Sequence, residues 1–359
     1  MSRKRKAVFA VPGNLSAPTG GYHYDRSLLA ALRALDREVA HLPLPGGFPF
    51  PDARDMREAS DMLIQVPEDR ALIIDGLAFG AMDTSALDRV AAPMIALVHH
   101  PLAHESDLPK TEARRLRDLE CANLRRCAHV LVPSPHIADV LVTDYDVKRC
   151  DITVIRPGRP EVGGRVSVPE HPNSAPLILS VGLLHPRKGH DVLIAALAEL
   201  AHLDWRAVIV GAPWAEGYEA ALTDQIAKAG LSGRVRLAGW VPEDELNALY
   251  AEAEILALAT RYEGYGIVFD EALIRGLPVV ATTAGAVPGT VPEGAGRLVP
   301  PDDAVRFAAA LAGLLEDEAA RAAMARAALD AGAALPDWAV AARAVSDILD
   351  RVAAGRGSA

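Results

Sequence analysis

Short apolar runs alternate with amphipathic stretches along most of this chain, and that alternation limits the fold more than any other feature. In the first half, the runs AVFAVP, ALIID, MIALVHH, HVLVPS and ITVI are apolar at consecutive positions, as strands buried on both faces are. Helical stretches such as DRSLLAALRALD lie between them, and Ser134 followed by Pro135 marks the start of another helix. The pattern predicts an α/β fold in which helices cover a doubly wound parallel sheet.

The alternation pauses over residues 156–176, which are rich in Gly, Pro and Ser and therefore predict a linker. It resumes with LILSV, RAVIVG, RVRLAG and ILALA. The 359 residues thus predict two domains, residues 1–160 and 161–337, whose sheets face each other across a ligand-binding cleft. The tail from Ala304 is predicted to be helical, and a helix over about residues 338–355 is expected to pack back on the first domain.

Composition excludes several classes of protein. The formal charge of −10 disfavours nucleic-acid binding through overall electrostatics, and the three cysteines form no C-x-x-C pair. No apolar run approaches the ~18 residues of a membrane span, and the apolar part of MSRKRKAVFAVPG is too short for a signal peptide, so we expect a cytoplasmic protein. The basic stretch KTEARRLRDLECANLRR leaves open a peripheral contact with the inner membrane face. A solvated helix face is favoured, because Glu112, Asp118 and Glu120 interrupt the basic residues.

Two carboxylates flank a glycine-rich turn in RYEGYGIVFDEALIRGLPVVA. Gly264 and Gly266 permit a sharp turn before a predicted helix, whose N-terminus suits an anion such as a phosphate. Glu263 and Glu271 can accept hydrogen bonds from the hydroxyls of a sugar or a ribose. The alternative, in which Glu263 only caps the helix and Glu271 is a solvated charge, stays open. A nicotinamide-binding G-x-G-x-x-G motif is disfavoured, because Phe269 stands at the third glycine position.

A second candidate site is the stretch SVGLLHPRKGHDVLIAAL. Arg187 and Lys188 follow a predicted strand and precede a helix, and a guanidinium beside an ammonium suits a diphosphate. The alternative is a solvated basic turn.

Histidines and acidic pairs offer weaker signals. His99 and His100 end a predicted strand, which favours a role at a site only modestly over a structural role. Asp144 and Asp146 match the D-x-D pattern of metal-dependent transferases, but they follow the helical stretch HIADVLVT and are interpreted as a solvated helix end. The sequence therefore predicts no metal site.

Taken in order, these motifs resemble glycosyltransferase family 4, the retaining nucleotide-sugar transferases of the GT-B fold. The resemblance covers nearly the whole chain and is strongest from Leu177 to Pro301, while TGGYHYDRSLLAALRAL is similar to the family's first glycine-rich loop and helix. It implies two Rossmann-like domains and transfer of a hexosyl group from a nucleotide-diphosphate sugar to an acceptor hydroxyl, with retention and without a metal or other cofactor. The implied donor is a UDP-sugar, with GDP- and ADP-sugars as alternatives.

The resemblance also implies roles for particular residues. Glu263 would hold hydroxyls of the donor sugar, Glu271 the ribose, and Arg187 with Lys188 the diphosphate. The full implied set is His99, Arg187, Lys188 and Glu263 for catalysis, and Gly20, Gly21, Trp240, Val241, Tyr265, Gly266, Ile267 and Glu271 for donor binding.

The sequence departs from the family pattern at several positions. Leu183 follows Gly182 where many members have an arginine, Ala259 replaces the usual proline before the first glutamate, and Gly289 stands at a commonly acidic position. The acceptor, whether a small molecule, a glycan or a lipid-linked compound, stays open. Candidate residues for binding it are Tyr22, His23, Asp75 and His104.

Other functions stay open at this stage. The same two-domain plan is compatible with a nucleotide-sugar epimerase, a phosphorylase, or a catalytically silent nucleotide-sugar-binding partner. A silent protein is disfavoured, because it has little use for the whole set of Glu263, Glu271, Arg187 and Lys188.

Overall fold

A computed structural model describes residues 6–105, 108–160, 175–214 and 216–354. Most of the predicted linker, residues 161–174, lies outside the described residues. The chain divides into two compact units, unit 1 with residues 1–158 and 336–359, and unit 2 with residues 159–335.

The described part of unit 1 contains a six-stranded parallel sheet in the order β2-β1-β3-β4-β5-β6. Its strands are β1 (Ala7–Pro12), β2 (Val39–Leu44), β3 (Ala71–Asp75), β4 (Met94–Leu97), β5 (His129–Val132) and β6 (Ile152–Val154). Its helices include α1 (Gly20–Ala34), α2 (Ala53–Ile64), α3 (Gly76–Phe79), α4 (Thr84–Leu87), α5 (Lys110–Leu124) and α6 (Pro135–Tyr145). All five apolar runs predicted as strands in this half are strands, and the Ser134 side chain caps α6 by accepting a hydrogen bond from the Ile137 amide at 3.2 Å.

Sequence reasoning missed β2. It is an edge strand with exposed and half-buried residues between its two buried ends, and it contains Pro43. An edge strand tolerates a proline and needs no continuous apolar run, so its sequence gives a weaker signal than the central strands do.

Unit 2 repeats the architecture, and its described residues form a second six-stranded parallel sheet in the order β12-β11-β10-β7-β8-β9. The strands are β7 (Leu177–Val181), β8 (Arg206–Val210), β9 (Val235–Gly239), β10 (Ala253–Leu258), β11 (Val279–Thr282) and β12 (Gly296–Val299). The helices are α7 (His190–Glu199), α8 (Tyr218–Lys228), α9 (Glu243–Glu252), α10 (Ile267–Leu273), α11 (Val287–Thr290), α12 (Ala304–Leu315) and α13 (Glu318–Ala333). The predicted fold class, two doubly wound parallel sheets with a helical C-terminal region, is confirmed.

The last helix, α14 (Trp338–Ala354), belongs to unit 1 and packs against α1. The buried Arg37 guanidinium donates to the Ser346 hydroxyl at 2.9 Å, to the Ser346 carbonyl at 3.0 Å and to the Asp350 carboxylate at 2.8 Å. A buried guanidinium is stable only when its donors are satisfied, so these bonds fix α14 in place.

The sheet order places the predicted site residues in two groups. In unit 1, β3 and β4 are neighbours, and Asp75 pairs in register with Leu97, two residues before His99. In unit 2, β7 and β10 are neighbours, and the loops after them carry Arg187, Lys188 and Glu263. Because parallel strands end at the same edge of a sheet, each pair of loops meets there.

Candidate functional site

A short 3₁₀ turn at Pro186–Lys188 follows β7 in unit 2 and presents the two predicted basic residues. His185 Nδ1 caps this turn by accepting a hydrogen bond from the Arg187 amide at 3.1 Å. The turn ends at Gly189, which has a φ of +65°, and a Cβ at this position would lie 1.8 Å from the Ala259 carbonyl oxygen. Glycine therefore lets the turn lie against the residues that follow β10.

The predicted catalytic residues Lys188 and Glu263 form a buried ion pair. The distance from Lys188 Nζ to Glu263 Oε1 is 2.5 Å, and the side chains are 14% and 6% exposed. The Thr260 hydroxyl donates to the same carboxylate oxygen at 3.3 Å. Burial acts to raise the pKa of Glu263, but the charges of Lys188 and Arg187 outweigh it and hold this pKa below its ordinary value.

Glu263 therefore does not act as a helix cap. Its carboxylate contacts Lys188 and Thr260, whereas its carbonyl accepts a hydrogen bond from the Ala286 amide at 2.8 Å. The turn before α10 depends instead on Gly266, whose φ is +89°.

Arg187 is half-buried beside this ion pair. One of its guanidinium nitrogens donates to the Tyr262 carbonyl at 3.2 Å. Arg187 and Lys188 place two basic side chains next to each other, beside the Glu263 carboxylate. Basic side chains at the ends of two strands can bind an anionic ligand.

Arg261 holds the phosphate-binding candidates in place, and sequence reasoning missed it. Its guanidinium donates two hydrogen bonds to the Asp191 carboxylate, at 2.9 and 2.7 Å, and one to Asp302 at 2.7 Å. It also donates to the Pro186 carbonyl, while the Arg261 amide donates to the Arg187 carbonyl at 2.7 Å. The available signal was an arginine two residues before Glu263, next to a loop that already carries two basic residues.

Glu271 lies on α10 and is half-buried. Its Oε2 accepts a hydrogen bond from the Tyr250 hydroxyl at 2.7 Å, and the Arg275 guanidinium lies 4.3 Å from the centre of the Tyr250 ring. Burial raises the pKa of Glu271. The alternative interpretation of Glu271 as a fully solvated charge is therefore wrong.

Other predicted donor-binding residues of unit 2 differ in exposure. Trp240, directly after β9, exposes 59% of its surface, whereas Val241 and Tyr265 are buried. The Tyr265 hydroxyl donates to Asp270 at 2.8 Å. Ile267 begins α10 and is half-buried.

The second group of side chains lies in unit 1 and combines His99 with two aspartates. His99 Nε2 lies 2.9 Å from Asp25 Oδ1 and 3.5 Å from Asp75 Oδ2, and both carboxylates are almost completely buried. A Cβ on Gly21 would lie 3.5 Å from the His99 ring, an ordinary contact, whereas one on Gly20 would meet no described atom within 4 Å. Sequence reasoning placed Asp75 only among acceptor candidates and missed Asp25, which is 74 residues from His99.

Burial and mutual repulsion dominate the electrostatics of this cluster. Burial, followed by the charge of Asp25, raises the pKa of Asp75 to about 7. Burial opposes the charged form of His99, but Asp25 and Asp75 outweigh it and raise the His99 pKa. Tyr22 has its pKa raised to about 12 by burial and by the two carboxylates.

Several remaining sequence predictions concern α5 and α6. Asp144 and Asp146 are exposed at the end of α6, as predicted. Glu120, predicted to interrupt a solvated basic face of α5, is instead fully buried, and its Oε2 accepts a hydrogen bond from the Leu102 amide at 3.1 Å. Among the described residues, no helix is both long and apolar enough to cross a bilayer.

Comparison with known proteins supports the family expected from the motifs. A family model described as "Glycosyl transferases group 1" matches residues 166–330. Curated relatives include D-inositol 3-phosphate glycosyltransferases of Corynebacterium efficiens, 33% identical over 255 residues, and of Corynebacterium kroppenstedtii, 30% identical over 279 residues. Residues 166–330 are therefore similar to the group 1 glycosyl transferases, and the curated relatives are glycosyltransferases by name. The two alignments cover 64% and 72% of this chain but only 58% and 60% of those relatives.

Solved structures share the architecture of this chain, which is the GT-B fold. Sucrose-phosphate synthase from Thermosynechococcus elongatus matches with a TM-score of 0.78 and 19% identity, over 98% of this chain and 100% of the other. Anabaena HepE in complex with UDP and glucose matches with a TM-score of 0.76 and 19% identity, over 96% of this chain and 100% of the other. At this identity, the likeness establishes the architecture alone.

Proposed function

We propose that the protein transfers a hexosyl group from a nucleotide-diphosphate sugar to an acceptor hydroxyl, with retention of the anomeric configuration and without a metal ion. The observation that carries this proposal is the buried Lys188–Glu263 ion pair with Arg187 beside it, at the adjoining ends of β7 and β10. It joins a cationic group suited to a diphosphate with a carboxylate suited to sugar hydroxyls.

The basic residues would stabilise the leaving group. When the bond between the anomeric carbon of the donor sugar and the diphosphate oxygen breaks, negative charge develops on the diphosphate. Arg187 and Lys188 lie together on the Pro186–Lys188 turn and would stabilise this charge. The guanidinium and the ammonium can each donate hydrogen bonds to phosphate oxygens. Arg261 would keep the turn in the required position through Pro186 and Asp191.

The carboxylates would bind hydroxyls. The lowered pKa of Glu263 keeps it ionised and able to accept hydrogen bonds from the donor sugar. Glu271 would bind the ribose, with the Tyr250 hydroxyl fixing one carboxylate oxygen and leaving the other for the ligand. The backbone around Trp240 and Val241 would meet the base.

The comparisons favour particular substrates to try first. HepE structures contain UDP and UDP-glucose, which supports a UDP-sugar donor ahead of GDP- and ADP-sugars. The curated relatives are named for inositol 3-phosphate, so a phosphorylated polyol is the first acceptor to test. Acceptors attached to lipid or to a glycan are the next class.

The decisive experiment is nucleotide release from UDP-, GDP- and ADP-glucose in EDTA, with and without acceptor, by wild type and by Glu263→Gln. We expect wild type alone to hydrolyse one donor slowly and to transfer its sugar faster when an acceptor is present. NMR spectroscopy of the product should show the anomeric configuration of the donor.

Other results would contradict the proposal in distinct ways. Inversion at the anomeric carbon, or activity only with added metal, would reject the mechanism. Conversion of one nucleotide sugar into another without an acceptor would indicate an epimerase. Nucleotide binding without turnover of any donor would indicate a silent binding protein.

A further inference from the structure

His99 in unit 1 turns one ring nitrogen toward two carboxylates and leaves the other nitrogen available. Nε2 faces Asp25 Oδ1 at 2.9 Å and Asp75 Oδ2 at 3.5 Å. Within the described part of the chain, no hydrogen bond engages Nδ1, and the side chain is 19% exposed. The imidazole is therefore anchored through one nitrogen and can hydrogen-bond a ligand through the other.

The two carboxylates belong to different elements, and Asp75 is also held by a hydrogen bond from the backbone. Asp75 ends β3, and its Oδ1 caps α3 by accepting a hydrogen bond from the Leu77 amide at 3.0 Å. Asp25 lies on α1 with Oδ1 toward His99, while its buried Oδ2 has no hydrogen-bond partner among the described residues. A positive charge beside a buried carboxylate offsets the cost of burying it, and His99 is the group positioned to supply one.

We propose that Asp25, assisted by Asp75, is a positioning residue that holds His99 as an imidazolium whose Nδ1–H donates a hydrogen bond to a substrate oxygen during sugar transfer. This inference rests on the proposed function and assigns a role to Asp25 that the motifs did not. His99 is the catalytic residue in this arrangement, and the aspartates act through it.

The groups that surround His99 determine whether its ring is charged. Tyr24 meets the ring edge-on at 5.1 Å between centroids and donates its own hydroxyl to the Ile155 carbonyl at 2.7 Å. Tyr22 donates to the Pro12 carbonyl at 2.8 Å. Both phenol hydroxyls are used as donors to backbone carbonyls, so the acidic groups facing His99 are the two aspartates, which raise its pKa.

The direction of the pH dependence follows from this geometry. When His99 loses a proton, the carboxylates keep the remaining proton on Nε2, and Nδ1 changes from a donor into an acceptor. Turnover should therefore fall as pH rises through the raised pKa of His99. A general base at the same position would give the opposite result, a rate that rises through that pKa.

The test compares wild type with Asp25→Asn across about pH 5.5 to 9.5, using the donor identified above and measuring kcat and KM separately. Asparagine keeps the shape of the side chain but removes the nearer negative charge. We expect kcat to fall on the order of 10²-fold with a small change in KM, as for loss of one transition-state donor. The alkaline limb of kcat should move about one to three pH units lower, the effect of an opposite charge at this distance.

A matched control uses the adjacent histidine. His100 Nε2 lies 3.1 Å from Glu105 Oε2, so Glu105→Gln removes a carboxylate from a neighbouring histidine at a similar distance. This variant should leave the alkaline limb in place. If Asp25→Asn does not fold, Asp75→Asn provides the same test with a smaller displacement, because its carboxylate is farther from Nε2.

An NMR titration of the His99 ring provides a readout that does not need turnover. We expect a raised pKa in wild type and a lower one in Asp25→Asn. If no donor is turned over, the proposed function fails while this titration still tests the arrangement around His99. An unmoved alkaline limb or an unmoved His99 titration in Asp25→Asn would overturn the inference.

Two further results would also overturn it. One is a wild-type rate that rises through the His99 pKa, since that indicates a base. The other is loss of activity in EDTA with recovery on adding Zn²⁺ or Mn²⁺, since the three side chains present oxygen and nitrogen atoms within 4.8 Å of one another and a cation would then occupy Nε2.

Discussion

Breaking the Lys188–Glu263 ion pair from one side should destabilise unit 2 strongly. In Lys188→Met, the Glu263 carboxylate stays 94% buried without its lysine. Removing one partner of a buried pair typically costs about 3–5 kcal/mol in the free energy of unfolding, and we expect the lower end because the nearby Arg187 compensates in part. Glu263→Gln should have a similar cost, because it leaves the lysine uncompensated.

The double variant Lys188→Met/Glu263→Gln should recover part of this loss. With both charges gone, neither partner pays for burial alone, so the coupling energy of the double-mutant cycle should be about 2 kcal/mol or more. Urea unfolding followed by tryptophan fluorescence measures it, since Trp205 is buried in the core of unit 2. A control is Glu252→Gln, which breaks the more exposed Arg206–Glu252 pair and should cost at most about 1 kcal/mol.

The effect of pH provides an independent check. The pKa of Glu263 lies below its ordinary value, so the pair contributes stability above the unfolded-state pKa and loses it as pH falls through the folded-state pKa. The deficit of Lys188→Met should therefore narrow in acid. Lys188→Met, Glu263→Gln and the double variant should each lose about 10²–10³-fold in kcat. The double variant therefore separates loss of catalysis from loss of folding. Strictly additive stability effects would refute the reasoning.

Three other predictions concern residues around the two sites. Burial raises the pKa of Glu120 to about 8, so the free energy of unfolding of the wild type should fall as pH rises from about 4.5 to 8. Glu120→Gln should flatten this pH dependence and raise the urea midpoint at pH 8. Gly189→Ala should lower the unfolding free energy by more than about 2 kcal/mol, because the new methyl group would meet the Ala259 carbonyl. Gly230→Ala, at a similar φ of +71° but in open space, should cost clearly less in the same assay. Arg261→Met should weaken UDP binding about 10-fold in calorimetry but leave uridine binding unchanged, since it loosens only the Pro186–Lys188 turn. Equal losses for both ligands would contradict this role.

Local sequence patterns were sufficient to predict the strands that are buried along their whole length. The central strands were predictable because consecutive apolar residues are required when helices cover both faces of a sheet, whereas the edge strand β2 has no such requirement. Arg187, Lys188 and Glu263 were predictable as a group because each lies within a few residues of a strand end and a glycine. The ion pair between Lys188 and Glu263 could not be predicted, because the two residues are 75 positions apart and meet only because β7 and β10 are neighbours.

The sequence by itself determined the fold class and the short segments that carry the candidate chemistry, because hydrophobic periodicity and glycine-bounded turns are local properties. Only the tertiary structure decided which charges meet. It buried Glu120 on a helix that looked solvated, joined Arg261 to Asp191, and brought Asp25 from α1 to His99 after β4. Such contacts depend on strand order and helix packing. The energy of a charge depends on the groups that surround it in the folded protein and not on its neighbours in the sequence.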